Sequence, residues 1–181
     1  MKPIVKVPND VLTTPAGTVT HFDKTLTRLI SDLKETLITT KKPKGVGLAA
    51  PQIGAPSRVF VTRPHEKDPV RVFINPVISE ISKGTTDGVP ERENKLEGCL
   101  SIPTIWGRVK RATSFTLRYQ DEAGVSHVEK CKGFLATIIQ HETDHLNGTL
   151  FTHRVLAQHG KLYQTETDDN GKEVLTEIEL K

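Results

Sequence analysis

The segment 140–145 reads Gln-His-Glu-Thr-Asp-His and combines residues that can bind a metal and move a proton. In a helix, His141 and His145 stand one turn apart on the same face, where two imidazoles can bind one divalent metal. Glu142 lies beside them and can take a proton from a water that the metal activates. A metal held in this way needs at least a third protein ligand, which must come from elsewhere in the chain.

Two classes of metal-dependent peptidase that use His-Glu-x-x-His take the third ligand downstream, and both solutions are poor here. One class has a third histidine ten residues after the first, but this chain has Phe151 there, and His153 lies two residues late. The other class takes a glutamate from a second helix. Glu166 is the candidate by position, but the sequence around it predicts a β-hairpin.

Upstream, Cys99 is a better candidate for the third ligand. It lies in Glu97-Gly98-Cys99-Leu100-Ser101, and thiolate is a strong ligand for zinc or iron(II). The alternative for any cysteine is a buried, inert side chain, and we keep that interpretation for Cys131. Two cysteines are too few for a secreted disulfide scaffold, although their number alone leaves one disulfide open.

The stretch 45–52 reads Gly-Val-Gly-Leu-Ala-Ala-Pro-Gln and lets the backbone approach another group closely, because its glycines carry no side chain. A phosphate-binding loop is rejected because the chain has no Gly-Lys-Ser/Thr here and no strand before it. Gln52 is the only side chain in the stretch with hydrogen-bonding groups. On this pattern alone, Gln52 is best interpreted as a turn residue.

The elements that must position these residues follow from hydrophobic periodicity and turn signals. Helical spacing of apolar residues predicts a helix over 23–40 and, after Gly133, the helix that carries the histidines. Predicted strands cover 58–62, 70–81 with a bulge at Asn75-Pro76, 114–120, 125–130, 161–167 and 173–179, and 83–96 is a surface loop. We expect an α+β fold: a single compact domain over 1–181 with mixed or antiparallel sheets around a central metal-binding helix. A second helix near the N-terminus and a C-terminal β-hairpin complete it.

The composition excludes several classes of protein. The net charge is +3 with 26% charged residues, and the lysines and arginines are scattered, so no nucleic-acid site is evident. No signal peptide opens the chain, and no stretch reaches the ~20 apolar residues of a membrane span. We expect a cytoplasmic protein of bacterial type, or an organellar one if a transit peptide has been removed.

Three segments together resemble the signature motifs of peptide deformylases: 45–52, 97–101 and 140–146, in the family's order and at compatible separations. The arm 6–12 and the bend 74–76 are also similar, so the resemblance covers about residues 1–150. It implies a metal-dependent hydrolase that removes the N-formyl group from the N-terminal formylmethionine of newly synthesised polypeptides and releases formate.

The resemblance also implies roles for individual residues. The metal ligands would be Cys99, His141 and His145, with Glu142 as general base and then acid. The oxyanion donors would be the Gln52 side chain and the Leu100 backbone N–H. The substrate-binding residues would be Val46, Gly47, Glu97, Phe134 and Ile138. For the apolar members of this set, a place in the core is the alternative. Glu97 and Asp144 could also orient metal ligands, or be solvated carboxylates.

The metal that the resemblance implies is one Fe2+ per chain, whereas the ligands alone would also suit Zn2+, Ni2+ or Co2+. The partners it implies are N-formylmethionyl peptide N-termini and, transiently, the ribosome. The chain departs from the family in three places. Trp106 stands where many relatives carry an arginine, the loop 83–96 is longer than in compact members, and the segment after Gly148 lacks a long basic helix. The last departure argues against ribosome docking by that helix.

Two other functions use the same residue types and make different predictions. A peptidase using His-Glu-x-x-His predicts that activity survives Cys99→Ala and is lost in Glu166→Ala or His153→Ala. A non-enzymatic relative would bind formylmethionyl peptides without releasing formate.

Overall fold

The computed structural model describes residues 1–41 and 44–179. The helices are α1 (Lys24–Thr39), α2 (Gly133–Leu146) and α3 (Phe151–Ala157), with short 3-10 helices at Asp10–Leu12 and Ala50–Ile53. The strands are β1 (Gly47–Ala49), β2 (Val59–Thr62), β3 (Arg71–Ser79), β4 (Glu97–Cys99), β5 (Ile102–Gly107), β6 (Ser114–Gln120), β7 (Ser126–Lys132), β8 (Leu162–Thr167) and β9 (Glu173–Glu177). The expected α+β fold is confirmed.

Two antiparallel sheets flank helix α2. The first has the strand order β1-β2-β3-β6-β7, and the second has the order β4-β5-β8-β9. Ala136, Ile139 and Leu146 of α2 pack on the first sheet, in a cluster that includes Phe60 and Phe115. The polar face of α2 is left to meet β4 of the second sheet, so the helix lies between the two sheets.

Helix α1 forms where the apolar periodicity predicts it. Asp23 caps its N-terminus by accepting hydrogen bonds from the backbone of Thr25 and Leu26 at 2.9 and 3.0 Å. The buried stripe is made of Leu26, Ile30, Leu33 and Leu37, which pack over β1 and β2 in one cluster. Helix α1 therefore packs on one face of β1 and β2, and α2 packs on the other face.

The bulge predicted at Asn75-Pro76 is present in β3. The pairing of β3 with β6 changes register between Ile74 and Val77, and Asn75 has a φ of 51°. The Asn75 side chain accepts from the Val19 backbone N–H at 2.9 Å and donates to its carbonyl at 2.8 Å. These bonds attach the N-terminal arm to the sheet and stabilise the bulge.

The region after Gly148 differs in part from expectation. The C-terminal hairpin is confirmed as β8 and β9, but α3 precedes it and was not predicted. Its seven residues bury only Phe151 and Val155, one turn apart, which is too short a pattern to be recognised from sequence. No helix within the described ranges is long and apolar enough to cross a membrane.

Candidate metal centre and active site

Helix α2 and strand β4 bring three metal-ligating groups together. The ring centroids of His141 and His145 are 4.9 Å apart. The pairing of β4 with β5 changes register between Gly98 and Cys99, and the Cys99 Sγ lies 3.2 Å from His145 Nε2. One ligand atom from each of Cys99, His141 and His145 lies within 4.8 Å of the other two. A thiol and two imidazoles this close fit a single divalent ion of the zinc or iron(II) type.

The electrostatics of the cluster favour the ionised thiol that a metal requires. Burial alone would raise the pKa of Cys99, but His145 and His141 hold this pKa well below its ordinary value. Burial alone would lower the pKa of His141, but Glu97 and Cys99 raise it well above its ordinary value. The site therefore stabilises the thiolate form of Cys99 that binds a metal, and His141 releases its proton when a metal takes that place.

Glu97 orients one of the histidines. Its Oε1 lies 2.6 Å from His141 Nδ1, and a histidine fixed in this way presents its other ring nitrogen in a defined direction. His145 is held differently, because its Nδ1 is buried without a hydrogen-bond partner among the described residues. The placement of Glu97 matches the ligand-orienting interpretation, and it also lines the cavity described below.

Arg111 is a buried residue of this site that the sequence did not reveal. Its guanidinium donates to Glu97 at 2.8 and 2.6 Å and to Asp144 at 3.0 Å. Burial would raise the pKa of Glu97, but Arg111 and His141 hold it well below its usual range. Asp144 also accepts two bonds from Arg154, at 3.2 and 2.6 Å. Asp144 is therefore linked to His141 indirectly, through hydrogen bonds that involve Arg111 and Glu97.

Two buried carboxylates near one helix imply a nearby cation. That requirement is the only signal in the sequence for Arg111, and it does not say which arginine meets it. The structure supplies that information.

Glu142 is buried and faces the backbone of β1. It is 3% exposed, and its Oε2 has no hydrogen-bond partner among the described residues. Burial raises the pKa of Glu142 to about 7, which lets one carboxyl group both accept and release a proton near neutral pH. A divalent cation beside it would lower this pKa.

Gln52 lies in the Ala50–Ile53 helix with its amide fixed at both ends. Its Oε1 accepts from the Ala49 N–H at 2.9 Å. The Nε2 group then points to Cys99 Sγ at 3.4 Å and to Ser101 Oγ at 3.2 Å. Gln52 is therefore a donor held beside the cluster as well as a residue of a turn-like segment, and Ser101 is a partner that the sequence did not indicate.

One cavity, partly open to solvent, connects these groups. Its walls include all the residues predicted to bind substrate: Val46, Gly47, Glu97, Phe134 and Ile138. Gln52, Cys99, Leu100, His141 and Glu142 line it too. The structure thus places these predicted site residues around one space, with His145 buried behind it.

The downstream ligand candidates lie elsewhere. His153 is exposed on α3, where its Nδ1 lies 3.2 Å from the Leu150 N–H. Glu166 is exposed on β8 and accepts a bond from Thr176 at 2.9 Å. Both cysteines are free thiols, and Cys131 is buried in the core of the first sheet.

Comparisons with known proteins give a consistent picture. The family model described as polypeptide deformylase matches residues 1–161. Peptide deformylase 1 of Bacillus cereus is 42% identical over 152 residues, which cover 84% of this chain and 90% of that relative. The peptide deformylase of Rhizobium meliloti is 39% identical over 154 residues, 83% of each chain.

Two solved structures are also similar. The crystal structure of peptide deformylase from Thermotoga maritima superposes with a TM-score of 0.75 at 36% identity, covering 85% of this chain and 97% of that one. A peptide deformylase from Synechococcus elongatus in complex with actinonin gives 0.73 at 35% identity, covering 84% and 79%.

Proposed function

Because this chain belongs to the polypeptide deformylase family, we propose that it removes the N-formyl group from the N-terminal formylmethionine of newly made polypeptides and releases formate. The chain is a hydrolase of this family, and residues 1–181 act as one catalytic domain. The observation that carries the proposal is the cluster of Cys99, His141 and His145 at the end of a cavity that also holds Glu142 and Gln52.

Cys99, His141 and His145 would hold one divalent metal, and we assign iron(II), with Zn2+, Ni2+ or Co2+ as substitutes. When bound, the metal supplies Lewis-acid activation of water and of the formyl carbonyl. Glu97 keeps the His141 ring in the orientation in which its free nitrogen faces the other ligands. Arg111 keeps Glu97 ionised in a buried place, so that it can accept that hydrogen bond.

Glu142 is the proton carrier of the reaction. Its carboxylate takes a proton from the attacking water and passes it to the departing amine as the amide C–N bond breaks. The buried position next to the metal ligands supports both roles, because burial raises the pKa of Glu142 and so opposes the lowering that a bound cation would cause.

The Gln52 Nε2 group and the Leu100 backbone N–H donate to the oxyanion that forms on the formyl carbonyl oxygen. Gln52 is preorganised for this, because the Ala49 N–H fixes its Oε1 and leaves Nε2 beside the cluster. One preorganised donor of this kind contributes about 100- to 1,000-fold to the rate. Gln52→Ala should therefore lower kcat by a larger factor than it changes KM.

The methionine side chain would occupy the apolar part of the cavity, formed by Val46, Leu100, Phe134 and Ile138. The peptide backbone would run along Gly47, because β1 is the terminal strand of its sheet and pairs only with β2 among the described strands. Backbone pairing of this type tolerates many sequences after the first residue, as an enzyme that acts on many chains requires.

The decisive experiment is a formate-release assay on anaerobically prepared, iron(II)-loaded protein with formyl-Met-Ala-Ser. We expect turnover by the wild type, a loss of about 100-fold or more in Glu142→Gln, and loss of both metal and activity in Cys99→Ala. Glu166→Ala and His153→Ala are controls and should retain activity. Peptide-bond cleavage without formate release, retained in Cys99→Ala and lost in Glu166→Ala or His153→Ala, would identify a peptidase. Binding of the formyl peptide without release of formate would identify a non-enzymatic relative. Either result would overturn the proposal.

A further inference from the structure

The far end of the active-site cavity is formed by Arg92 and Trp106. Arg92 belongs to the loop between β3 and β4, and Trp106 belongs to β5. Both residues line the cavity that holds the metal centre, and both also line a second, open pocket together with Glu93 and Asn94. The pair therefore lies where the metal-centre cavity meets an open pocket, on a path available to the residues that follow a first residue bound at the metal centre.

Trp106 is a fixed platform. Its Nε1 donates to Thr165 Oγ1 on β8 at 2.7 Å. The ring also packs directly on the backbone of Gly98, where an added Cβ would lie 2.7 Å from the nearest ring carbons. Since Gly98 directly precedes Cys99, the indole has a defined position relative to the metal centre.

Arg92 is held on this platform, and most of its donors have no hydrogen-bond partner in the part of the chain that the structure describes. Its Cζ lies 5.7 Å from the Trp106 ring centroid, within the range of a cation–π contact. Its Nη1 donates to the Leu96 carbonyl at 3.0 Å, which uses one of five guanidinium N–H groups. None of the ion pairs within residues 1–41 and 44–179 includes Arg92.

This arginine is a partly desolvated cation without a carboxylate partner among the described residues. Burial lowers the pKa of Arg92 from its ordinary value, and the charge of Glu97 offsets this only in part. Arg108 offers a contrast in the same region, because it forms an ion pair with Asp87 at 3.1 Å. A half-buried guanidinium with free donors is a suitable partner for an incoming carboxylate, which its planar fork can bind through two parallel hydrogen bonds.

The charges around the cavity are compatible with an incoming anion. Both carboxylate oxygens of Glu97 accept hydrogen bonds from Arg111, and Oε1 also lies 2.6 Å from His141 Nδ1. Glu97 forms no hydrogen bond with Arg92 among the described residues. Lys44 lines the same cavity and pairs with Glu66 at its exposed rim. Glu93 lines only the outer pocket and would oppose an anion from the solvent side.

We propose that Arg92, held on Trp106, is a carboxylate subsite that makes this enzyme prefer formylmethionyl peptides with Asp or Glu at the second or third position. The inference rests on the proposed deformylation, since it assumes that the formyl group lies at the metal centre. An extended peptide advances ~3.3 Å per residue, so the residues that follow methionine pass along the wall that ends at this pair.

The test compares kcat/KM for matched peptides that differ in one charge. The panel contains formyl-Met-Ala-Ser, formyl-Met-Glu-Ser, formyl-Met-Ala-Glu and the two corresponding lysine peptides. We expect the better acidic peptide to exceed its neutral partner by about 3- to 10-fold and its lysine partner by more, as for a half-exposed charge-assisted contact. The ratio should shrink at high salt.

Arg92→Gln should abolish the ratio, and Arg92→Glu should invert it in favour of lysine peptides. Arg118→Gln is the matched control, because it removes an exposed arginine from β6 in the other sheet and should leave the ratio unchanged. Equal kcat/KM for acidic and neutral peptides in the wild type, or a ratio that survives in Arg92→Gln, would overturn the subsite. Calorimetry of the same formyl peptides on Glu142→Gln protein reports the preference without turnover. Failure of the deformylase activity is thus distinguished from failure of the subsite.

Discussion

The replacement Gly47→Ala is expected to displace the Glu142 carboxylate while leaving the metal ligands in place. A Cβ on Gly47 would lie 2.3 Å from Glu142 Oε1, 2.8 Å from its Cδ and 2.9 Å from its Cγ. Non-bonded heavy atoms are stable at about 3.5 Å or more, so the carboxylate must move by about 1 Å. The φ of Gly47 lies outside the left-handed region, so alanine brings no backbone strain.

A 1 Å displacement of a reacting group can cost about 100-fold, and we expect that loss to appear in kcat. The KM for formyl-Met-Ala-Ser should rise by a smaller factor than kcat falls, because the new methyl group meets Glu142 and the strand along which the peptide would run, whereas the apolar residues that would hold methionine are untouched. Overpacking of this size costs about 1–3 kcal/mol of the free energy of unfolding. At roughly 2–4 °C per kcal/mol for a chain of this length, the variant stays folded at room temperature.

The assay combines formate release, metal content by atomic absorption and thermal unfolding by circular dichroism. The matched control is Gly17→Ala, whose Cβ would meet its nearest atom, the Pro56 carbonyl oxygen, at an ordinary 3.6 Å. It should retain wild-type kcat. A Gly47→Ala protein that keeps its metal and stays within threefold of wild-type kcat would refute the assignment of Glu142 as the proton carrier. Loss of metal instead would show that the strain reaches the ligands.

Three further outcomes are expected. Arg111→Met removes the cation that Glu97 and Asp144 share, leaving only His141 beside Glu97 and Arg154 beside Asp144. The free energy of unfolding measured in urea should therefore fall by about 3 kcal/mol, and Arg111→Lys should recover only part of it because lysine cannot form the same fork. Because Arg111 holds the pKa of Glu97 low, this stabilisation is fully present above about pH 4.5 and is lost as pH falls through the folded-state pKa. The urea midpoints of wild type and Arg111→Met should therefore converge in acid, and a constant gap down to pH 3 would contradict this. In thiol titrations with a disulfide reagent, chelation of the metal should release one reactive thiol, Cys99, whereas Cys131, whose pKa burial raises to about 11, should react only on unfolding. Two fast thiols in the folded protein would speak against it.

The parts of the fold that were predictable are those whose own sequence repeats a period. Helix α1 has four buried leucine and isoleucine positions at helical spacing, and β6 and β7 flank an Asp-Glu-Ala-Gly turn. The bulge in β3 follows from Asn75-Pro76, since proline cannot donate to the ladder. Strands β1 and β4, with three residues each, show no such period and exist only because their partner strands pair with them.

Only the site residues that belong to recognisable sequence motifs could be predicted. Cys99, His141 and His145 could be selected by ligand chemistry and by resemblance to a family, and the structure brings them together. Arg111 could not be selected, because burial of an arginine depends on which carboxylates surround it in three dimensions. The position of the Trp106 ring could not be predicted either, because it depends on packing against Gly98 of the neighbouring strand β4.

Helix α2 carries two pairs of residues at i, i+4 spacing, offset by one position, and each pair binds a different segment. His141 and His145 meet the thiol at the end of β4. In the other pair, Gln140 exchanges two hydrogen bonds of 3.0 Å with the backbone of Ala112. Asp144 accepts a hydrogen bond from Arg111, the residue before Ala112. Both segments are therefore aligned on one helix by the same helical period.

The bonds from Arg111 to Glu97 join these two segments and close a ring of contacts around the metal ligands. Since a helix advances 1.5 Å and turns by about 100° per residue, a shift of α2 by one residue would break both pairs and the ring together. The spacing between Cys99 and the two imidazoles is consequently set by contacts of side chains that do not touch the metal. It follows that Gln140 and Arg111, rather than the ligands alone, determine how well the site is preformed for a metal.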